Sequence, residues 1–195
     1  MNAIYYEPGN ALSALWAAWV LSWVAAALWA KRTEKRIDIR REISYRATLF
    51  VGGLLFFIPH NSPLALMRLW PEMSLNAVWI CVALAALGFA LCWWARIYLG
   101  TLWSGSITKK GGHRVVDTGP YALVRHPIYT GLLMAILATM VAKGTFLGLI
   151  GAAIMTLSFW MKARLEEQFL REELGAEAYD SYRRRVPMLI PFGPR

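Results

Sequence analysis

Two short segments of this 195-residue chain hold the side chains best able to grip a charged organic molecule. The first is Gly119-Pro120-Tyr121-Ala122-Leu123-Val124-Arg125-His126-Pro127-Ile128-Tyr129-Thr130-Gly131. Pro127 suits the first turn of a helix, where its missing N–H costs nothing. Arg125 and His126 then stand beside a helix N-terminus, whose free N–H groups favour an anion. Tyr121 and Tyr129 add flat rings and hydroxyls at the same level. The plainer reading of an isolated Arg-His pair is an interfacial anchor, because basic side chains snorkel at span ends. The second segment is Lys162-Ala163-Arg164-Leu165-Glu166-Glu167-Gln168-Phe169-Leu170. Glu167 precedes Arg171 by four residues, the favoured order for a helical ion pair, so its expected place is a solvated helix face. Glu166 points about 100° away from Glu167. With only Lys162 or Arg164 near it, Glu166 is expected to look back toward the membrane mouth. His60, His113 and His126 are too scattered for metal ligation.

The elements that must position these groups are membrane helices. The chain is 57% hydrophobic and only 17% charged, with a mean hydropathy of +0.41. Soluble domains are about 45–50% apolar and about 25% charged, so a water-soluble globule is excluded. Long disorder is excluded as well, since it needs low hydrophobicity and few aromatics. Ala11 to Ala30 is a charge-free run of the length, about 20 residues, that crosses a hydrocarbon core. No Lys or Arg precedes it, so it reads as a retained helix with its N-terminus outside, not as a signal peptide. A short second span is expected from Tyr45 to Ile58 and a long third from Leu75 to Leu99. Residues 60–75 read as a loop or a helix on the membrane surface. Residues 100–127 read as a structured loop, not a strand pair. The runs Ile128–Val141 and Thr145–Met161 are joined by three residues and predict a tight antiparallel helical hairpin. Gly131, Gly144, Gly148 and Gly151 are expected to let its two backbones approach closely. A charged helix continues from Lys162 to about Leu174, a shorter one follows over Glu177–Arg185, and the tail is rich in Pro.

The fold expected is therefore all-α and polytopic, with about five spans: a three-span region over 1–99 and a second region over 100–195. Only Arg68 and Lys143, of 21 Lys and Arg residues, fall opposite the basic segments 31–42, 100–127 and 162–195. The excess of basic residues marks the cytosolic side, and the net charge of +9 then serves anionic headgroups. No nucleic-acid module is recognisable. Cys81 and Cys92 lie about 16 Å apart along one helix, beyond disulfide reach.

The conjunction of Gly-Pro-Tyr, Arg-His-Pro-x-Tyr, a two-span hairpin and Glu-Glu ahead of Leu174-Gly175, with Tyr179 and Tyr182, resembles one family. It resembles the isoprenylcysteine carboxyl methyltransferases and the related membrane phospholipid methyltransferases, over about His113 to Pro191. The resemblance implies S-adenosyl-L-methionine as methyl donor, leaving S-adenosyl-L-homocysteine. It implies cofactor contacts at His113, Arg114, Val115, Val116, Tyr121, His126, Pro127, Tyr129 and Glu166. It assigns the reacting end to Arg125, Glu167, Arg164 and Lys162. A basic residue that meets the acceptor carboxylate in the prenylcysteine enzymes aligns with Lys162 or Arg164. Arg164 is preferred, because its planar fork matches a carboxylate. The implied acceptor is lipid-like or prenylated and reaches a cytosolic site from the bilayer. A carboxylate or thiolate needs no base, whereas an amine would need Glu166, Glu167, His113 or His126 to take its proton. A phospholipid or small-thiol methyltransferase, a sterol-type reductase and a small transporter or scaffold are the competing readings. Against transport, the ionisable groups gather at one membrane face and not near the midplane.

Overall fold

The computed structural model describes residues 3–28, 33–36, 38–59, 62–63, 67–110 and 115–193. Five long helices dominate: α1 (Ala3–Ala27), α2 (Ile39–Phe56), α3 (Leu75–Leu99), α4 (Pro127–Lys143) and α5 (Phe146–Leu174), followed by the shorter α6 (Ala176–Arg185). The residue types at their ends explain where they start. Asp38 accepts the Arg40 N–H ahead of α2, and Ser74 and Thr145 do the same for Ala77 and Gly148 at α3 and α5. Pro127 opens α4 as its first residue, as expected. Three helical stretches, Pro8–Ala27, Leu75–Leu102 and Phe146–Leu174, are long and apolar enough to cross a membrane, and Pro127–Lys143 is apolar but shorter. The protein is an all-helical polytopic membrane protein, with one small exception.

That exception lies in the loop expected to hold no strand pair. Thr108–Lys110 forms β2, antiparallel to β1 at Thr33–Arg36. The partner strand comes from the other basic segment, some seventy residues earlier, which is why nothing local in residues 100–127 announced it.

The packing of α4 and α5 corrects a second expectation. They are consecutive, but α4 packs chiefly on α3 and α5 chiefly on α2. Of the four glycines, Gly131 and Gly151 do permit close approach, between different helices, whereas a Cβ on Gly144 would meet the Trp70 ring and one on Gly148 only Thr145 and Lys143 side chains. A Cβ on Gly131 would strike the Gly88 carbonyl oxygen, and a Cβ on Gly88 would strike that of Gly131. On the second interface a Cβ on Gly151 would lie 2.5 Å from Phe56 N and 2.8 Å from Gly52 O. Each arm of the hairpin thus meets a helix carrying its own glycine, a fit that facing side chains between α4 and α5 do not offer. Ser158 donates across the second interface to the Tyr45 carbonyl at 2.6 Å.

Aromatic side chains fill the space beside α1. Trp16 is buried, meets Phe89 edge-on at 4.9 Å and donates its indole N–H to Thr139 at 3.0 Å. Trp19 stacks on Trp23 at 4.9 Å. At the end of the bundle remote from the acidic pair, the Lys143 ammonium donates to the carbonyls of Phe56 and Ile58, which α2 leaves unpaired. At the opposite end Arg96 is fully buried and donates to Ala26 O and Gly100 O, both at 2.7 Å. One guanidinium therefore caps α1 and α3 together.

Candidate active site

The site forms where α4 begins, α5 leaves the bundle and α6 folds back. A turn at Gly119–Ala122 brings the chain to Arg125 and His126, and the tail beyond α6 straps across them. Arg125 N–H donates to Pro187 O at 2.8 Å and His126 N–H to Met188 O at 3.1 Å. The Thr130 hydroxyl donates to Leu189 O at 2.6 Å. The two backbone donors just ahead of α4 thus serve the tail.

Glu167 is the hub. Its side chain is 4% exposed, and it accepts from Arg125 Nε at 2.7 Å. His126 Nε2 stands 3.2 Å away and Arg183 Nε 3.4 Å away. The expected partner, Arg171, instead holds Asp180 of α6 through contacts of 2.9–3.0 Å. The reason is tertiary: α6 folds against α5 and offers Arg171 a carboxylate in water, while Arg125 stands beside Glu167 in the interior. The Arg125 Nη1 group donates to the carbonyls of Arg183 and Val186, so Nε and Nη1 are spent inside the protein. This geometry makes Arg125 a positioning residue that ties α4, α5 and the end of α6 together.

Glu166 lies on the neighbouring face of α5, as the helical geometry predicts. It accepts from the Tyr129 hydroxyl at 2.6 Å and lies 4.0 Å from His126 Nδ1. The His126 ring stacks on Tyr129 at 5.2 Å, within 7° of parallel. His126 therefore stands between two carboxylates, one facing each ring nitrogen. The Tyr182 hydroxyl donates to Tyr121 O at 2.8 Å, and that of Tyr121 reaches Ala95 O at 3.5 Å. Burial pushes the phenols of Tyr121, Tyr179 and Tyr182 above their ordinary range, so they remain neutral hydroxyls at physiological pH.

A cavity of about 550 Å³ opens among these groups. Val115, Val116, Tyr121, Arg125, His126, Pro127, Tyr129, Lys162 and Glu166 all line it, so most of the residues singled out in the sequence share one wall. Glu167 sits behind that wall. Arg164 does not line the cavity: its guanidinium lies over the Trp160 ring, 5.6 Å from the centroid, beside a separate groove. The preference for Arg164 is therefore reversed. Of the two, it is Lys162, two residues earlier and about 200° around the helix, that lines the cavity. Its ammonium donates to Gly105 O at 2.9 Å and lies 5.4 Å from the Tyr129 ring centre. His113 and Arg114 lie outside the described residues.

Three contributors were not foreseen. The loop Ser104–Ile107 forms part of the cavity wall and is held by Glu42, which is buried, accepts the Ile107 N–H at 3.1 Å and pairs with Arg46. Glu42 and Arg46 are four residues apart, which reads in sequence as an ordinary surface pair. Arg183 belongs to a run of three arginines that reads as a cationic helix end. The tryptophans of α1 read as interfacial aromatics, whereas Trp16, Trp19 and Trp23 line the far arm of the cavity.

Residues 79–172, which hold the whole Arg-His-Pro-x-Tyr and Glu-Glu constellation, match the model of the isoprenylcysteine carboxyl methyltransferase family. Over these residues the chain is similar to that family. Among its relatives, the protein-S-isoprenylcysteine O-methyltransferase of Schizosaccharomyces pombe is 31% identical over 134 residues, covering 64% of this chain and 56% of that protein. The methanethiol S-methyltransferase of Crocosphaera subtropica is 39% identical over 72 residues, covering 37% of this chain and 27% of that protein. One from a Pseudomonas species is 44% identical over 71 residues, covering 36% and 26%. The matched part thus spans just over half of the first relative and about a quarter of the other two.

Proposed function

We propose that the protein is a membrane methyltransferase that uses S-adenosyl-L-methionine and acts on an acceptor with a long apolar tail. The carboxylate of an isoprenylated cysteine is the acceptor that suits it best. The observation that carries this reading is a continuous cavity whose wall is polar at His126, Tyr129 and Glu166 and aromatic at Trp16, Trp19 and Trp23. Its volume falls within the usual range for ligand sites, about 300–1,000 Å³. The polar end suits the donor's chemistry: Glu166 can accept from an amine or a ribose diol, His126 can meet a carboxylate, and the tyrosine rings can pack a sulfonium or adenine. The cofactor supplies an activated methyl on sulfur. The protein's own part is placement and exclusion of water. Glu167 and Arg125 hold the His126 ring, the tail strap fixes the start of α4, and Lys162 lines the cavity beside Tyr129.

The aromatic arm runs between α1 and α2. α1 packs on α3, and Leu49, Gly53 and Phe57 of α2 line the arm's other side. An acceptor tail is accommodated there without leaving an apolar setting. A second reading, methylation of a small thiol, is favoured by the 39–44% identity to proteins named methanethiol S-methyltransferases. That similarity covers little more than a third of the chain at this identity, and 58% of it at 32% identity in a further protein of that name, so the first reading rests on the aromatic arm, built largely by α1 and α2. The decisive experiment is a labelled-methyl assay of the detergent-solubilised protein with a farnesylated cysteine analogue, a phospholipid panel and methanethiol. Label on the farnesylated compound supports the first reading, and label on methanethiol alone overturns it.

Three variants report on the separate parts. His126→Ala and Glu166→Ala are each expected to weaken S-adenosyl-L-homocysteine binding about ten- to a hundredfold by calorimetry, the worth of a charge-assisted hydrogen bond. Lys162→Met is expected to raise the acceptor KM about tenfold or more and to leave S-adenosyl-L-homocysteine affinity unchanged. Unaltered acceptor kinetics in Lys162→Met would point to an uncharged acceptor. The site is proposed to face the cytosol, with the N-terminus outside. A reporter fused after residue 42 and another at Lys143 are then expected to give opposite signals, and like signals would overturn that orientation.

A further inference from the structure

A second concave site lies on the outer face of the bundle, between the start of α2 and the middle of α5. Arg41, Ser44, Trp160, Arg164, Leu165 and Gln168 line a groove of about 510 Å³. The spacing puts each set on one helical stripe, 41 and 44 on α2 and 160, 164 and 168 on α5. The groove lies beyond the Tyr45–Ser158 contact, at the end where α5 passes from apolar to charged sequence. Arg41 and Arg164 are both exposed, and neither has a carboxylate within ion-pair distance among the described residues. Around the active-site carboxylates, by contrast, Arg125 and Arg183 are both paired with Glu167.

Arg41 is also badly placed for its own helix. It sits with Arg40 in the first turn of α2, where the helix dipole disfavours positive charge. Asp38 at the cap and Glu42 in the same turn offset part of this, but Glu42 is turned inward onto the Ile107 N–H and Arg46, and neither is ion-paired with Arg41 among the described residues. A ligand that offsets the rest must carry negative charge at its polar end. Its other end is set by the surface below. One heptad deeper along the same two stripes stand Val51 and Leu157, each 49% exposed, and Trp160 is 47% exposed at the level where indoles mark a membrane interface.

We propose that this groove binds the headgroup of an anionic glycerophospholipid, with Arg41 and Arg164 on its phosphate, Ser44 and Gln168 on its glycerol oxygens, and its chains along Val51 and Leu157. Basic pockets between helices at the headgroup level are the general form of such sites. The groove is separate from the methyl-transfer cavity, and the proposal does not rest on the activity proposed above.

The test is native mass spectrometry of the detergent-purified full chain titrated with phosphatidylglycerol, phosphatidylcholine and glycerol 3-phosphate. The parent protein is expected to retain one phosphatidylglycerol about tenfold or more tightly than phosphatidylcholine. The double variant Arg41→Gln, Arg164→Gln is expected to lose that preference and to bind S-adenosyl-L-homocysteine as the parent does. Both side chains are exposed, so folding should survive, as a thermal melt will show. If the double variant does not fold, each single variant is expected to lose part of the preference. Equal retention of phosphatidylglycerol by parent and variants overturns the proposal. So does equal retention of the two lipids by the parent, or displacement of phosphatidylglycerol by an equimolar amount of glycerol 3-phosphate, which would make the groove a site for free anions.

Discussion

Glu167→Ala is expected to be the most damaging single charge deletion in the protein. The carboxylate is buried with Arg125, whose side chain is also 4% exposed, and it faces His126 and Arg183 as well. Removing one member of such a pair leaves the other charge unpaired in a poor solvent, at about 3–5 kcal/mol. For a chain of this length that corresponds to a fall in melting temperature on the order of 10 °C. Binding of S-adenosyl-L-homocysteine should be lost in the same variant, because the His126 ring and the end of α6 lose their common tether. Glu167→Gln keeps the volume and one acceptor oxygen, and should lie between variant and parent. Thermal unfolding in detergent beside calorimetry checks both effects. A melting temperature within about 1 °C of the parent in the alanine variant would mean that the ion pair does not hold the site together.

Gly131→Val is expected to have the second largest effect, through shape alone. Its side chain would be driven onto the Gly88 carbonyl oxygen and to within 2.8 Å of Cys92 Sγ. Backbone cannot swing aside as a flexible side chain can, so α3 and α4 must separate. Overpacking of this kind costs about 1–3 kcal/mol and sometimes more. Because α4 begins with Pro127 directly after His126, a shift of α4 displaces the site as well. The expected readout is a protein that aggregates on size exclusion or elutes without S-adenosyl-L-homocysteine binding. Gly9→Ala is the control, since a methyl there meets open space. A well-folded, cofactor-binding Gly131→Val protein would contradict the close packing of α3 on α4.

The sequence was most readable where information is local. The ends of α3 fall at Leu75 and Leu99, as the apolar run and the flanking Ser74 and Gly100 imply. Pro127 marks the start of α4 for the same reason. The convergence of Tyr121, His126, Tyr129 and Glu166 on one cavity was also legible, through two motifs and the hairpin between them. Partnerships were not. Glu167 has a suitable cation four residues away, yet its ion pair is with Arg125, 42 residues earlier. Local spacing says which pairs are possible, and tertiary packing decides which are made. The glycines show the same limit: their positions signal close approach, but nothing in the order of residues names the helix approached. The choice between Lys162 and Arg164 turned on a helix rotation that only the packing of α5 against α2 fixes.

The tail strap sets a timetable. Chains leave the ribosome N-terminus first, and domains fold in the order they are made. The helices α1 to α5 are all synthesised before residues 187–189. Until those residues arrive, the backbone donors of Arg125 and His126 lack the carbonyls of Pro187 and Met188, and the Thr130 hydroxyl has only the His126 carbonyl of its own helix. Arg125 likewise waits for the carbonyls of Arg183 and Val186. The cluster around Arg125 and His126 is thus completed only once residues 183–189 have been made.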